Sequence, residues 1–331
     1  MKLTHMFSAA LLPMAMGAWT PHAAAQASNP ASKYPDRPIT WVIPYAPGGG
    51  TDVIARPIAL KVGDAMKQTI IYDNRPGAAG FIAAQAVAKA APDGYTYLVA
   101  AGNTHIFATL LFDKVPYDPV KDFAPVTKFA TVPNILVSHP DFPPKSVKAI
   151  VDFARKNPGK VNWASSGNGA GGHLALVMFA KQAGIKVVHI PFKGAGPAST
   201  ALLGGQVDLL FANTGVFAAN IKAGKLRVLG VAADKRLNAL PDVPTFAEMG
   251  YGKFESSSFY GLMAPAGTPR PIIDKIRGFV VKIIQSPDEH KRLAENGAFP
   301  VANTPEQFAA ELKEEVDRWG PIIRENNIKP G

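Results

Sequence analysis

Apolar residues along this chain switch between short continuous runs and runs that recur every three to four positions, the signature of strands alternating with helices. Ile39 to Pro44 predicts a strand, Asp52 to Met66 a helix, Ile70 to Tyr72 a strand and Gly80 to Ala90 a helix. Tyr97 to Ala101 predicts a strand after the Pro92-Asp93-Gly94 turn. Pro57 falls in the first turns of its helix, where a missing N–H is tolerated. Alternation with such short connections predicts an α/β lobe, a parallel sheet covered by helices. Phe123 to Val137 then reads as one long, extended, proline-interrupted stretch, the place for a first crossing into a second lobe. A new alternation follows. Ser146 to Lys156 is a helix with a Ser N-cap, Val161 to Ala164 a strand, His173 to Ala183 a helix, Val187 to Ile190 a strand and Ala198 to Leu203 a helix ended by Gly204-Gly205. Val207 to Phe211 and Leu226 to Val231 are strands, and Pro241 to Gly252 is a surface loop. Phe259 to Ala264 is the return strand, and the helices Pro271 to Ile284 and Pro305 to Ile323 close the chain.

Two glycine-rich turns sit where strand gives way to helix, one in each half. The first runs from Tyr45 to Asp52 and includes Pro47, Gly48, Gly49, Gly50 and Thr51. The second runs from Ser165 to His173 and includes Ser166, Gly167, Asn168 and Gly169. Glycine lets main-chain N–H groups converge where a side chain would block them. At a helix start those groups lack intrahelical partners and carry about half a positive charge, so a carboxylate or phosphate is favoured there. Two such turns facing each other predict a cleft that grips one small anion from both sides. Asp52 reads as an N-cap that also orients waters, because a bare carboxylate repels an anionic ligand. Ser165, Ser166 and Asn168 add side-chain donors. His173 either meets a ligand carboxylate or only caps and packs. Arg75, after the second strand, is the cation expected nearest the cleft, and Asn103, Thr104 and His105 follow their strand to the same mouth.

The remaining chemistry is excluded by motif. No Gly-Lys-Ser/Thr follows the first turn and no Gly-x-Gly-x-x-Gly occurs, so neither a P-loop nor a dinucleotide fold is expected. A hydrolase built on Ser166, His173 and Asp208 has no Gly-x-Ser-x-Gly elbow behind it, and no His-Glu-x-x-His argues for a metal. The expectation is a binding protein with no enzymatic activity, no cofactor and no metal.

Residues 1–27 must be set apart as a secretory leader: Lys2 leads, Met6 to Trp19 is apolar, and small residues offer cleavage after Ala25 or Ala27. Removing 27 of the 331 residues leaves a chain long enough for two lobes. There is no cysteine, hence no disulfide, thiolate metal site or lipid-modified cysteine. The net charge of +10 loses only Lys2 with the leader. A basic surface favours anionic partners. Its evenly spread charge, without basic blocks or aromatic interleaving, excludes nucleic acid. An exported, cysteine-free chain fits the Gram-negative periplasm.

Several strings coincide in order with one family: Tyr34-Pro35-Asp36-Arg37-Pro38-Ile39, Pro44-Tyr45-Ala46-Pro47-Gly48-Gly49, Asn74-Arg75-Pro76-Gly77-Ala78-Ala79-Gly80, and Pro92-Asp93-Gly94-Tyr95-Thr96. In the second half come Gly194-Ala195-Gly196-Pro197-Ala198, Leu203-Gly204-Gly205-Gln206-Val207-Asp208, Leu240-Pro241-Asp242-Val243-Pro244-Thr245 and Ala264-Pro265-Ala266-Gly267-Thr268-Pro269. From about Tyr34 to Pro330 the chain resembles the Bug-type (TctC-like) substrate-binding proteins of tripartite tricarboxylate transporters. The resemblance implies a periplasmic-binding-protein type 2 fold, a Venus flytrap of two α/β lobes joined by two crossing strands. Lobe 1 is expected over 34–125 and 258–331, and lobe 2 over 126–257. It also implies a monomeric receptor that delivers a small organic carboxylate to integral membrane transporter subunits, with both glycine turns holding carboxylates through main-chain N–H groups and ordered waters. Two departures bear on ligand identity: Ala201 where the family often has Asp, and Phe259 or Tyr260 where it often has Trp. Phe259 is therefore counted with the cleft wall. A sensor that signals to a membrane partner would use the same binding chemistry, and a hydrolase is the remaining alternative.

Overall fold

The computed structural model describes residues 31–329 except residue 193; the expected leader, 1–27, lies outside the described residues. In chain order the strands are β1 Ile39–Ile43, β2 Ile70–Asn74, β3 Thr96–Ala101, β4 Phe123–Ser138, β5 Asn162–Ser165, β6 Val188–Pro191, β7 Leu209–Asn213, β8 Arg227–Val231, β9 Ser257–Pro265 and β10 Phe299–Pro300. β1 lies between β2 and β3, parallel to both, and β3 continues antiparallel into β9 and then β4. In the second lobe β5 lies between β6 and β7, parallel to both, and β7 and β8 pair antiparallel with β4.

The long stretch at 123–137 is therefore a single strand that serves both lobes. β4 pairs with β9 from Phe123 to Pro133, and with β7 and β8 from Asn134 to Ser138. The change of partner falls at a proline, which has no N–H to give to a ladder. Asn134 secures the crossing, its N–H donating to Ser256 C=O at 2.8 Å and its Nδ2 to Ser256 Oγ at 2.8 Å.

Each sheet is covered on both faces, which is why its strands read as nearly continuous apolar runs. Trp41 of lobe 1 stacks on Phe129 of the shared strand β4 beneath the helices Gly50–Met66 and Arg270–Ile284. In lobe 2 the buried Trp163 stacks on Phe211 at 5.3 Å, a contact worth about 1 kcal/mol beyond its area burial. The lobes also touch away from the crossing strands. Leu174 of lobe 2 belongs to the apolar cluster around Phe107 and Trp319 of lobe 1, and Lys181 pairs with Glu325 at 2.8 Å.

Besides the single turn Ala108–Leu111, two helices were not legible in the sequence, Thr214–Lys222 and Pro287–Glu295. The first follows a strand through Asn-Thr-Gly, a turn-like string, and spans little more than two turns. The second holds the first-lobe site in place. From it Arg292 donates to the carbonyls of Val53 and Ile54 in the first turns of the Gly50 helix while pairing with the fully buried Glu289.

Candidate functional site

A cleft of about 840 Å³ opens between the lobes, and the starts of four helices converge on it. The Gly50–Met66 helix follows β1 through the first glycine turn, and Gly171–Ala183 follows β5 through the second. The helices Ala195–Leu203 and Thr214–Lys222 follow β6 and β7. All four N-cap residues, Gly49, Ala170, Gly194 and Asn213, make no side-chain capping bond. Among the described helices, side-chain caps occur at Ser146 and Thr304, which do not line the cleft. No N-cap side chain competes for the first amides of these four helices, as is also the case at Pro269 and Ser286 away from the cleft. The two second-lobe turns are tied to each other, Gly194 N–H donating to Ser166 C=O at 3.1 Å.

Each cationic side chain on the described wall has a carboxylate within ion-pair distance, although Arg318 Nε and Nη2 make no hydrogen bond among the described residues. Lys128 and Arg318 are its basic residues, and they pair with Glu311 and with Glu315 respectively, the latter at 3.2 Å. Positive potential for an anion therefore comes from backbone N–H groups and helix dipoles. Two neutral phenols, Tyr45 and Tyr260, also line the cleft. Burial raises Tyr260 to about 12 and carries Tyr45 further above the ordinary tyrosine value, so both keep their protons at any physiological pH. Tyr260 Oη donates to Asn213 Oδ1 at 3.2 Å. It sits so close to Gly50 that a Cβ there would lie 2.5 Å from it.

Of the residues expected at the site, Tyr45, Pro47, Gly48, Gly49, Gly50, Thr51, Asn103, Ser166 and Phe259 line the cleft. The others do not line it, and all but the exposed Asn168 are held by an identifiable bond. Asp52 accepts Gly48 N–H at 3.1 Å and pairs with Arg56 at 2.8 Å, so its carboxylate shapes the first turn from below. Arg75 pairs with Asp73 on the exposed rim, while its neighbours Pro76 and Gly77 reach the cleft. Thr104 is buried against Ala101, and His105 Nδ1 lies 2.9 Å from Thr104 Oγ1. Ser165 is buried with its Oγ bonded to Gly167 and His189. Gly167, Asn168 and Gly169 form the outer bend of their turn, with Leu111 of lobe 1 packed on Gly169. His173 Nδ1 accepts Gly169 N–H at 3.0 Å, and its ring stacks on His189.

Sequence reasoning missed the wall supplied by 76–80, by Gly194 to Ala198, and by Asn213 with the helix it starts. The first two were visible as Gly- and Pro-rich strings ahead of helices. Asn213 carried no signal. Ser165 and His189 form a 2.6 Å serine-histidine bond, yet the serine is fully buried and so cannot meet a substrate in the cleft. Among the described residues no group of three His, Cys, Asp or Glu is placed to hold a metal ion.

His105 links stability to pH. It is buried, its Nε2 has no hydrogen-bond partner among the described residues, and burial lowers its pKa to about 3. A folded-state pKa below the ordinary 6.5 means that the unfolded chain takes up a proton the native protein refuses. The stability due to neutral His105 is complete above pH 6.5 and is lost progressively as pH falls toward 3. Urea denaturation at pH 7 and pH 4.5 should show a smaller loss of stability in His105→Leu than in the wild type; equal losses would assign the acid sensitivity elsewhere.

A family model described as "Tripartite tricarboxylate transporter family receptor" matches residues 54–328. Protein BugT of Bordetella pertussis is 36% identical over 300 residues, covering 90% of this chain and 92% of its own. A Rhodopseudomonas palustris protein solved with adipate superposes with a TM-score of 0.86 at 33% identity, over 90% of this chain and 100% of that one. MatC from Rhodopseudomonas palustris, solved with bound malate, superposes with a TM-score of 0.79 at 34% identity, over 88% and 100%. The two-lobed α/β architecture is shared with these proteins, and the chain belongs to the receptor family of the tripartite tricarboxylate transporters.

Proposed function

We propose that this protein is a periplasmic receptor that takes one small organic carboxylate between its lobes and hands it to integral membrane transporter subunits. The observation that carries this reading is the convergence of four uncapped helix starts, contributed by both lobes, on a cleft whose described cations are already neutralised. Adipate and malate in the two solved relatives support the ligand class. In this reading residues 1–27 are the export leader, the mature chain acts as a monomer without cofactor, and it catalyses no reaction. We assign the lobes as 34–125 with 258–331 and as 126–257, with the shared strands β4 and β9 as the hinge. A carboxylate docks on the Gly49 to Thr51 amides first. Closure then brings the Ser166, Gly171 and Gly194 turns to the same ligand. The ligand favours closure by the difference between its affinities for the two states. Discrimination between acids falls to the walls between the turns, Phe259 and Tyr260 among them.

The test is a thermal-shift screen of the mature protein against malate, adipate, amino acids and aromatic acids, each beside its neutral amide. A ligand at a hundredfold excess over its Kd adds about 2.7 kcal/mol, roughly 5–10 °C in Tm. At least one acid should give such a shift and its amide none. A panel in which no acid stabilises, or in which amides match acids, would sink the proposal.

A further inference from the structure

Two imidazoles brace the second glycine turn without lining the cleft. His173 stands in the first turn of the Gly171–Ala183 helix and His189 on the edge strand β6. Their rings stack with centroids 3.9 Å apart and planes 5° from parallel. Each ring holds the turn through one nitrogen. His173 Nδ1 accepts Gly169 N–H at 3.0 Å. His189 Nε2 lies 2.6 Å from Ser165 Oγ, which accepts Gly167 N–H at 3.2 Å and donates to Gly167 C=O at 3.0 Å. With the hydroxyl proton on that carbonyl, His189 is the donor to the serine. The bend itself needs these ties. Gly167 and Gly169 sit at φ of 137° and 73°, in a conformation that free glycine leaves readily.

We propose that the His173–His189 stack positions the second-lobe turn for its ligand and does so only while both rings are uncharged. The proposal rests on the turn being one jaw of the carboxylate cleft. A proton on His173 Nδ1 turns the acceptor of Gly169 N–H into a donor pointing at a donor. A proton on His189 places a cation against the face of its neighbour. β5, β6 and the Gly171 helix through Met178 bring no other titratable side chain to the pair. His189 is the charge that acts on His173, and among the described residues of these elements there is no carboxylate to steady an imidazolium. The helix start disfavours a cation as well.

Burial lowers both rings, His173 to about 4 with His189 adding to the effect. A released turn frees the imidazole to its ordinary 6.5. Between pH 6.5 and 4, release therefore takes up a proton that the held turn excludes, and the held state weakens as pH falls.

The test is amide hydrogen exchange at 166–171 in the ligand-free protein at pH 7 and pH 5, corrected for intrinsic rates, with β4 amides reporting global opening. Wild-type protection at the turn should fall roughly tenfold or more while β4 stays protected. H173Q offers Oε1 to Gly169 N–H and leaves His189 as the one titrating ring of the pair, so its protection should fall clearly less than that of the wild type between the two pH values. His189→Phe keeps a stacked ring without a second charge, and its midpoint for loss of protection should move up in pH. A flat wild-type profile, an H173Q profile that falls like the wild type, or an unmoved His189→Phe midpoint would overturn the proposal. These measurements need no ligand. A parallel titration with malate and adipate that finds no binding at either pH would count against the receptor reading, while the exchange profiles still decide the role of the histidines.

Discussion

Gly49→Asp is expected to make the protein slightly more stable and unable to bind its anion. Gly49 is the N-cap of the Gly50–Met66 helix, with φ −77° and ψ 174°, values that any residue adopts. A Cβ there meets nothing nearer than Ala46 C=O at 3.7 Å, so an aspartate fits without moving its neighbours. Its carboxylate would accept the N–H of Thr51 or Asp52, giving the helix the cap it lacks. Cap and dipole together contribute about 1 kcal/mol, offset in part by the nearby Asp52, so Tm should rise by roughly 1–3 °C. The same carboxylate occupies the amides read here as the ligand's and adds a negative charge to the cleft. Affinity for whichever acid the screen identifies should drop about a hundredfold or more, near 2.7 kcal/mol. Calorimetry on Gly49→Asp beside Gly49→Asn separates capping from charge. The neutral cap should lose affinity less, and wild-type binding by the aspartate variant would remove the first turn from the site.

Two neighbouring glycines should respond in opposite ways to one methyl group. At Gly172 a Cβ would lie 2.4 Å from the carbonyl oxygen of Phe211, a backbone atom of β7 that no rotamer change can move. Gly172→Ala must lift the Gly171–Ala183 helix off its sheet, at a cost of about 3 kcal/mol. That corresponds to a fall of roughly 6–12 °C in Tm. At Gly171 the nearest atom to a Cβ is Asn134 Nδ2 at 3.9 Å, and Gly171→Ala should stay within about 0.5 kcal/mol of wild type. Thermal melts of the two variants side by side decide it. Similar Tm values would mean that the helix does not rest on β7 as closely as described.

Both predictions show where local pattern stopped being informative. The glycine strings at 48–50 and 167–172 marked the strand-to-helix turns, and the beginnings of those helices do reach the cavity. Within each string the residues behave differently for reasons set by distant parts of the chain. Gly49 faces space, Gly50 lies under Tyr260 from β9, Gly169 under Leu111 of the other lobe and Gly172 against β7. Histidines and charges were harder still. Arg75 is nearest the cleft in sequence order, yet Asp73, two residues away, draws its guanidinium to the rim. His189 lies 16 positions after His173 and meets it because β6 pairs with β5.

Period and punctuation along the chain determined the α/β alternation, the long shared strand at 123–137 and two of the turns at the cleft. These are local properties: backbone geometry imposes the periods, and glycine and proline act on their own residues. Only the tertiary structure decided which amides face one cavity, which cations are neutralised by Glu311 and Glu315, and which histidines meet. The cavity and the Lys128–Glu311 pair depend on contacts between segments more than 100 residues apart, as does Asn134 with Ser256, and the histidines meet across 16 positions through the β5–β6 pairing, none of which a local pattern encodes.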